Sequence, residues 1–117
     1  GDSGRVAFAY LGDSGGNTWN GYISVMTDAF SEIPLITTVQ VNNFGDPLDT
    51  EVDCGYNRCG GFGDFIDILI DQYGRPWFGL SHNIVDQGIY GTMMIGPSLR
   101  DSTVPLNPLP EGGFSTL

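Results

Sequence analysis

The stretch "IDQYGRPWFGLS" (70–81) decides the fold, because "GDSGRVAFAYLG" (1–12) repeats its layout seventy residues earlier. Each copy runs from an Asp through a short turn to Gly-Arg and then into an aromatic strand. Self-similarity at a fixed spacing is the mark of a repeated structural unit. In the later copy the Gly-Arg turn is the tip of a hairpin whose first strand is "DFIDILID" (64–71). In the earlier copy no strand precedes the turn, so strand 5–11 lacks its hairpin partner on one side. An unpaired strand edge is an aggregation liability. The repeat therefore predicts that another chain, or a removed part of the same precursor, supplies the missing strands.

The remaining strand signals are of the same kind. "RVAFAYL" (5–11), "GYISVM" (21–26), "LITTVQV" (35–41), "PWFGLS" (76–81) and "GIYGTMMIG" (88–96) are short apolar or alternating runs bounded by Gly, Asp, Asn or Pro. No segment holds a 3.6-residue period over a helix length, and only "TDAFSEI" (27–33) suits a single helical turn. The chain reads as all-β. The connection from Asn42 to Gly63 is long for a hairpin, and loops of that length carry function or are pinned. After Gly96 the Pro-rich stretch reads as an extended tail, which divides the chain into residues 1–100 and a tail or linker, 101–117.

Composition narrows the function. The 117 residues are 40 % apolar, with 18 glycines and seven prolines, as in one small, turn-rich folded domain. Fourteen acids face four arginines, one histidine and no lysine, a net charge of -10. Binding phosphate requires basic side chains that release counterions, so nucleic acid is not an expected partner. No apolar run reaches the length of a membrane span, so direct membrane insertion is not expected. The opening Gly1-Asp2-Ser3-Gly4 reads as that of a processed or truncated product rather than a signal peptide.

Cys54 and Cys59 stand in "DCGYNRCGG" with four residues between them. Two cysteines and the lone His82 are too few for a structural zinc site, and a local disulfide is the better reading. Such a bridge implies an oxidising place: extracellular, periplasmic or cell-surface. Closing so short a loop adds only about 2 kcal/mol, enough to fix a loop and not to hold the fold.

Repeated four-stranded antiparallel units with Asp/Gly turns are the habit of β-propellers. "WNGYISVMTDAFSEIPLITTVQVN", "CGYNRCGGFGDFIDILIDQYGRPWFGLSHN" and "GIYGTMMIGPSL" resemble the last blades of sialidase-like propellers, which carry bacterial neuraminidase repeats. The resemblance covers about residues 4 to 100, and its most specific part is the order Cys54, then Cys59-Gly60-Gly61, then Asp-Phe-x-Asp-x-x-x-Asp-x-x-Gly-Arg from Asp64 to Arg75. It implies part of a propeller, about one and a half to two four-stranded blades. Strand 64–71 is then innermost, 76–81 second and 88–96 third. The family's Asp-box, Ser/Thr-x-Asp-x-Gly-x-Thr-Trp, is only approached. "DSGGNTW" (13–19) has one residue too many, and "MTDAFSEI" (26–33) keeps Asp28 without the Gly and Trp.

Several residues are candidates for chemistry. Gly12-Asp13-Ser14-Gly15-Gly16 spells the nucleophile motif of chymotrypsin-like proteases, but the only histidine lies downstream, so Ser14 reads as a turn residue. The resemblance implies three arginines gripping a substrate carboxylate, a Tyr–Glu nucleophile pair and an acidic proton donor. Of the arginines here, Arg5 and Arg75 belong to equivalent turns with an exposed structural role, and Arg58 is a weak ligand candidate. Glu32, Glu51 and Glu111 lie in loops or the tail with no strand tyrosine beside them, so no full catalytic set carries over. Asp46, Asp49, Glu51 and Asp53 are candidate Ca²⁺ ligands, against a solvated acidic loop. Asp64, Asp67 and Asp71 alternate imperfectly along one strand, and two of them, Asp64 and Asp67, suit a propeller's central channel. His82 reads as a hydrogen-bonded loop residue.

The expected function is a non-catalytic structural and binding module. It is a piece of a secreted sialidase-like propeller, partnered by the remaining blades or by other chains of an assembly. The alternatives are part of a glycoside hydrolase whose catalytic residues lie mostly elsewhere, and a calcium-stabilised glycan-binding domain.

Overall fold

A computed structural model describes residues 1–16, 18–50, 66–82, 88–100 and 115–116. The strands are β1 (Val6–Asp13), β2 (Trp19–Met26), β3 (Thr37–Gln40), β4 (Asp67–Ile70), β5 (Pro76–His82), β6 (Gly88–Ile95) and β7 (Ser115–Thr116). They form two antiparallel meanders, a three-stranded sheet ordered β1-β2-β3 and a four-stranded sheet ordered β4-β5-β6-β7. The described residues contain no helix, so the chain is all-β as its alternating pattern predicts.

Three expectations need correction. "TDAFSEI" forms a single hydrogen-bonded turn and no helix: Ser31 N–H donates to the Asp28 carbonyl, the following residues bend, and the Asp28 carboxylate accepts from Leu35 N–H at 3.1 Å. Strand 64–71 is shorter within the described residues, because Asp71 leaves the ladder to build the β4–β5 turn. Strand 35–41 shrinks to Thr37–Gln40, its flanks being taken by the Asp28 bond and by Val41 N–H on Gly21. Of the tail, residues 101–114 lie outside the described residues, while Ser115 and Thr116 pair with Ile95 and Met94.

The two sheets stack face to face, β1 against β4, β2 against β5 and β3 against β7. Alternation decides what each contributes, since successive strand residues point to opposite faces. From β1 come the small Ala7 and Ala9 with Leu11, and from β2 come Ile23 and Val25. Opposite them stand Phe78, Leu80 and Met94, with Ile68 and Ile70 at the margin. Phe78 seats over Gly21, where an added Cβ would lie 3.3 Å from its ring. Fully burying a side chain such as Phe78 or Ile23 contributes about 1.5–3 kcal/mol, so this interface is the main stabilising element. Leu48 and Leu99 complete the core from irregular segments.

The repeat is physical as well as textual. Gly4 and Gly74, seventy positions apart, both take left-handed backbone, φ 77° and 79°. Their carbonyls accept from residues that are again seventy apart, Ala29 N–H at 3.0 Å and Leu99 N–H at 2.9 Å. Each unit thus closes its hairpin by returning the chain, after β2 or β6, onto the Gly-Arg turn.

These two glycines separate conformation from crowding. At Gly4 a Cβ meets only the Phe30 ring, 3.1 Å away, whereas at Gly74 it runs into Ser98 Oγ and lies 2.6 Å from Leu99 N. Gly4→Ala is expected to lower unfolding free energy by about 1 kcal/mol, the left-handed penalty alone. Gly74→Ala is expected to lose about 3 kcal/mol or more, because backbone must also move. Urea unfolding of both variants checks the order.

Candidate functional site

At one end of the sheet-to-sheet interface the segment after β3 leans away and leaves a cleft of about 320 Å³. Asn42 holds that segment in place. Its side chain accepts Gly21 N–H at 2.9 Å and donates to Asn20 Oδ1 at 2.8 Å and to the Asp46 carbonyl at 2.9 Å. Beyond the Asn43–Asp46 turn, Leu48 N–H donates to the Trp19 carbonyl and Trp19 N–H to that of Asp49. The chain therefore returns to β2 and delivers Asp46 to the mouth of the cleft.

There Asp46 Oδ1 meets His82 Nε2 at 3.1 Å, and Tyr90 stands edge-on to the imidazole with ring centres 5.8 Å apart. His82 closes β5 and is hydrogen-bonded as read, at a strand end rather than in a loop. The cleft offers an oriented imidazole, a half-exposed carboxylate and the side chains of Asn43 and Thr92. Such a set can hold a small polar group by hydrogen bonds. Glycoside hydrolysis uses two carboxyl groups across one bond, and Asp46 is the only carboxylate among the described lining residues.

The remaining candidates disperse. Glu51, Asp53, Cys54, Arg58, Cys59 and Asp64 lie outside the described residues, as does Glu111. Asp49 is buried with its backbone paired to β2, and Asp46 is turned to His82. Among the described residues no three metal-capable side chains gather. Asp67 is exposed at the start of β4, its Oδ1 accepting Ile68 N–H. Ser14 lies in the β1–β2 turn, where Asp13 Oδ1 accepts Gly15 N–H at 2.7 Å and Thr18 N–H at 2.9 Å. No described helix is long and apolar enough to cross a membrane.

The described arginines serve the fold. Arg5 is not exposed as its turn position suggests but buried, with Nη1 donating to the Ser98 carbonyl at 2.8 Å. Arg100 spans the two carbonyls of Ile70 and Asp71. Arg75 does stay partly exposed, bonded to Asp71 at 2.7 Å and lying over the Tyr73 ring. Sequence pattern missed the Arg5 burial because a turn residue is solvated unless a neighbouring unit covers it.

Two open surfaces complete the picture. Among the described residues β1 is the outermost strand of its sheet. In an antiparallel ladder a residue turns N–H and C=O toward the same neighbour. Gly21 gives both to the β3 side, so its β1 partner Leu11, like Ala9 and Ala7, turns its main-chain groups to the outer edge. The outer faces are open too. Val6, Phe8 and Tyr10 line one, and a depression of about 410 Å³ over Gly79 and Gly91 marks the other.

Compared with family models, curated proteins and solved structures, the chain matches none.

Asp71 organises the turn behind that depression. Its Oδ1 accepts from Tyr73 and Arg75 N–H, its Oδ2 from Arg75 Nε and Trp77 Nε1. Desolvation raises its pKa, but the Trp77, Arg75 and Tyr73 donors outweigh it and hold the carboxyl well below the usual range. A depressed folded-state pKa stabilises above the unfolded value and is lost as pH falls. The melting temperature is therefore expected to drop below about pH 4. In Asp71→Asn it starts lower at neutral pH and the gap to the parent narrows on acidification. Calorimetry across that range is the check.

Proposed function

We propose that this chain is a non-catalytic structural and binding module, two consecutive blades of a sialidase-like β-propeller in an extracellular or cell-surface assembly. In this reading a strand from outside the chain pairs with β1. The observation that carries the reading is the matched pair of Gly-Arg turns. β5 lies between β4 and β6, while β1, its counterpart seventy residues earlier, has a neighbour on one side only among the described strands. The meander order of each sheet, the face-to-face stacking and the absence of crossover connections among the described strands fit blades. The arginines agree with a structural role, since Arg5, Arg75 and Arg100 are all engaged within the fold. Main-chain pairing to an open edge is a general way to join chains, with side-chain pockets adding selectivity.

Amide hydrogen exchange tests the edge. In the isolated chain the Ala7, Ala9 and Leu11 amides are expected to exchange fast, while Phe8 and Tyr10, bonded to β2, are protected. In native material carrying its partners all five become protected. Ala9→Pro deletes an outward donor and spares the β2 bonds, so it is expected to keep the far-ultraviolet circular dichroism and lose the partner from native complexes. Fast exchange at Ala9 in the native assembly, or a proline variant that retains its partners, overturns the strand-pairing reading.

A further inference from the structure

The geometry points to an interaction surface at each end of the stack, and to a second copy of this chain as the occupant of both. Copies join head to tail, the outer face of the β1-β2-β3 sheet of one against the outer face of the β4–β7 sheet of the next. This rests on the reading of the sheets as successive blades.

The internal interface shows how these sheets stack. Its two sides are unlike. On the first sheet β1 offers the small Ala7 and Ala9, and β2 offers Gly21 beside Ile23 and Val25; on the second, β5 offers the bulky Phe78 and Leu80, with the Phe78 ring seated over Gly21. Shifting by the seventy-residue repeat exchanges the roles. Phe8 and Tyr10 of the first sheet correspond to Phe78 and Leu80, and lie on the face turned to solvent, 45% and 36% exposed. On the second sheet Gly79 corresponds to Ala9, and its cross-strand partner Gly91 stands where Ile23 stands against Ala9; the two glycines floor the outer depression. One copy therefore carries bulky side chains in front and a glycine-floored surface behind, the two elements that meet inside it where Phe78 sits over Gly21.

Three details sharpen the match. The front is a built ridge: Phe8 stacks on Tyr10 at 5.6 Å and Tyr10 on Tyr22 at 5.4 Å. The depression is apolar, walled by Leu69 and Trp77, of which Trp77 is larger than its counterpart Ala7 and narrows one side. And the guanidiniums differ as the model requires. Arg5, at the covered interface, is 1% exposed and reaches the Ser98 carbonyl of the next sheet. Arg75, its counterpart at the uncovered face, has a side chain 40% exposed, and the same stacking brings it to Asp28 of the next copy, the position matching Ser98. Such a contact uses two different patches, so it propagates or closes into a ring. Propellers hold about four to eight blades, so a ring of about two to four copies closes one.

The charge sets the conditions. A net charge of -10 per chain opposes association, and salt screens it. Association measured by sedimentation equilibrium is expected to strengthen from about 0.1 M to about 1 M salt. Gly91→Glu is the cleanest disrupting variant, because nothing lies within 4 Å of a Cβ at Gly91 and its backbone is not left-handed. It is expected to keep the parent circular dichroism and melting, and to weaken association at least tenfold. Phe8→Asp, on the opposite face, should do the same. Mixing the two restores one good ridge and one good groove, so the mixture is expected to form a dimer and stop there. A parent chain that stays monomeric at high salt overturns the proposal, and so does association untouched by Gly91→Glu or a mixture that gives no dimer. Failure of strand pairing at β1 shows instead in the Ala9 amide exchange, so the two readings fail separately.

Discussion

The relation of the two sheets hangs on one short segment, Ser98-Leu99-Arg100. Leu99 N–H donates to the Gly74 carbonyl of its own unit, while the Leu99 carbonyl accepts Asp2 N–H from the other. Arg5 adds a bond to the Ser98 carbonyl, Ser98 Oγ donates to that of Tyr73, and Arg100 takes the carbonyls at the end of β4. Leu99 itself is wholly buried. Six polar contacts and a core side chain thus come from three residues with no regular structure. Were this segment displaced, Gly4 and Gly74 would keep their turns, but nothing would set the distance between them. The stacking of hydrophobic faces gives the energy, and this clip gives the alignment.

Alignment matters because the faces are not alike. A sheet whose two faces were alike would stack in either sense and slip in register. Here the Phe78 ring of one face seats over Gly21 of the other, so volume helps to define how the sheets meet. Close packing makes the choice strict: a ring over a glycine fills space that a ring over a ring cannot share. The same stacking leaves each sheet with one face satisfied and one not. Apolar side chains stay exposed on both outer faces, Phe8 and Tyr10 on one and Leu69 on the other.

The β class, the strand centres and the repeat were legible because they depend on local rules. Alternating Ile and Asp in "FIDILID" and the Gly-Arg turns need no knowledge of distant residues. What was not legible depends on contacts across the chain. Leu48 sits between Pro and Asp, and Leu99 between Ser and Arg, so neither carries a periodic signal, yet both are core. "TDAFSEI" has helix-compatible spacing, but Asp28 is recruited by Leu35 across the bend and the single turn does not become a helix. Asp71 looked like the last strand residue because it continues the Ile/Asp alternation. Its short side chain instead collects four donors and turns the chain. The cleft was invisible for the same reason, since Asp46 and His82 are 36 positions apart and meet only after Asn42 has bent the intervening chain.

Arg5 and Arg75 show what a single unit can and cannot do for itself. They occupy the same position of the same turn, one buried and one partly in water. A buried guanidinium must find acceptors, and Arg5 finds one on the neighbouring unit rather than on its own. Arg75, with no described neighbour on that side, falls back on Asp71 within its own turn and on the Tyr73 ring. The first turn has Ser3 and Gly4 where the second has Gln72, Tyr73 and Gly74, so it lacks the aromatic on which its arginine would rest. Each turn thus suits the state of its outer surface: the one without its own support is covered, and the one with it stands open. That difference follows from the packing of the repeat rather than from any single residue.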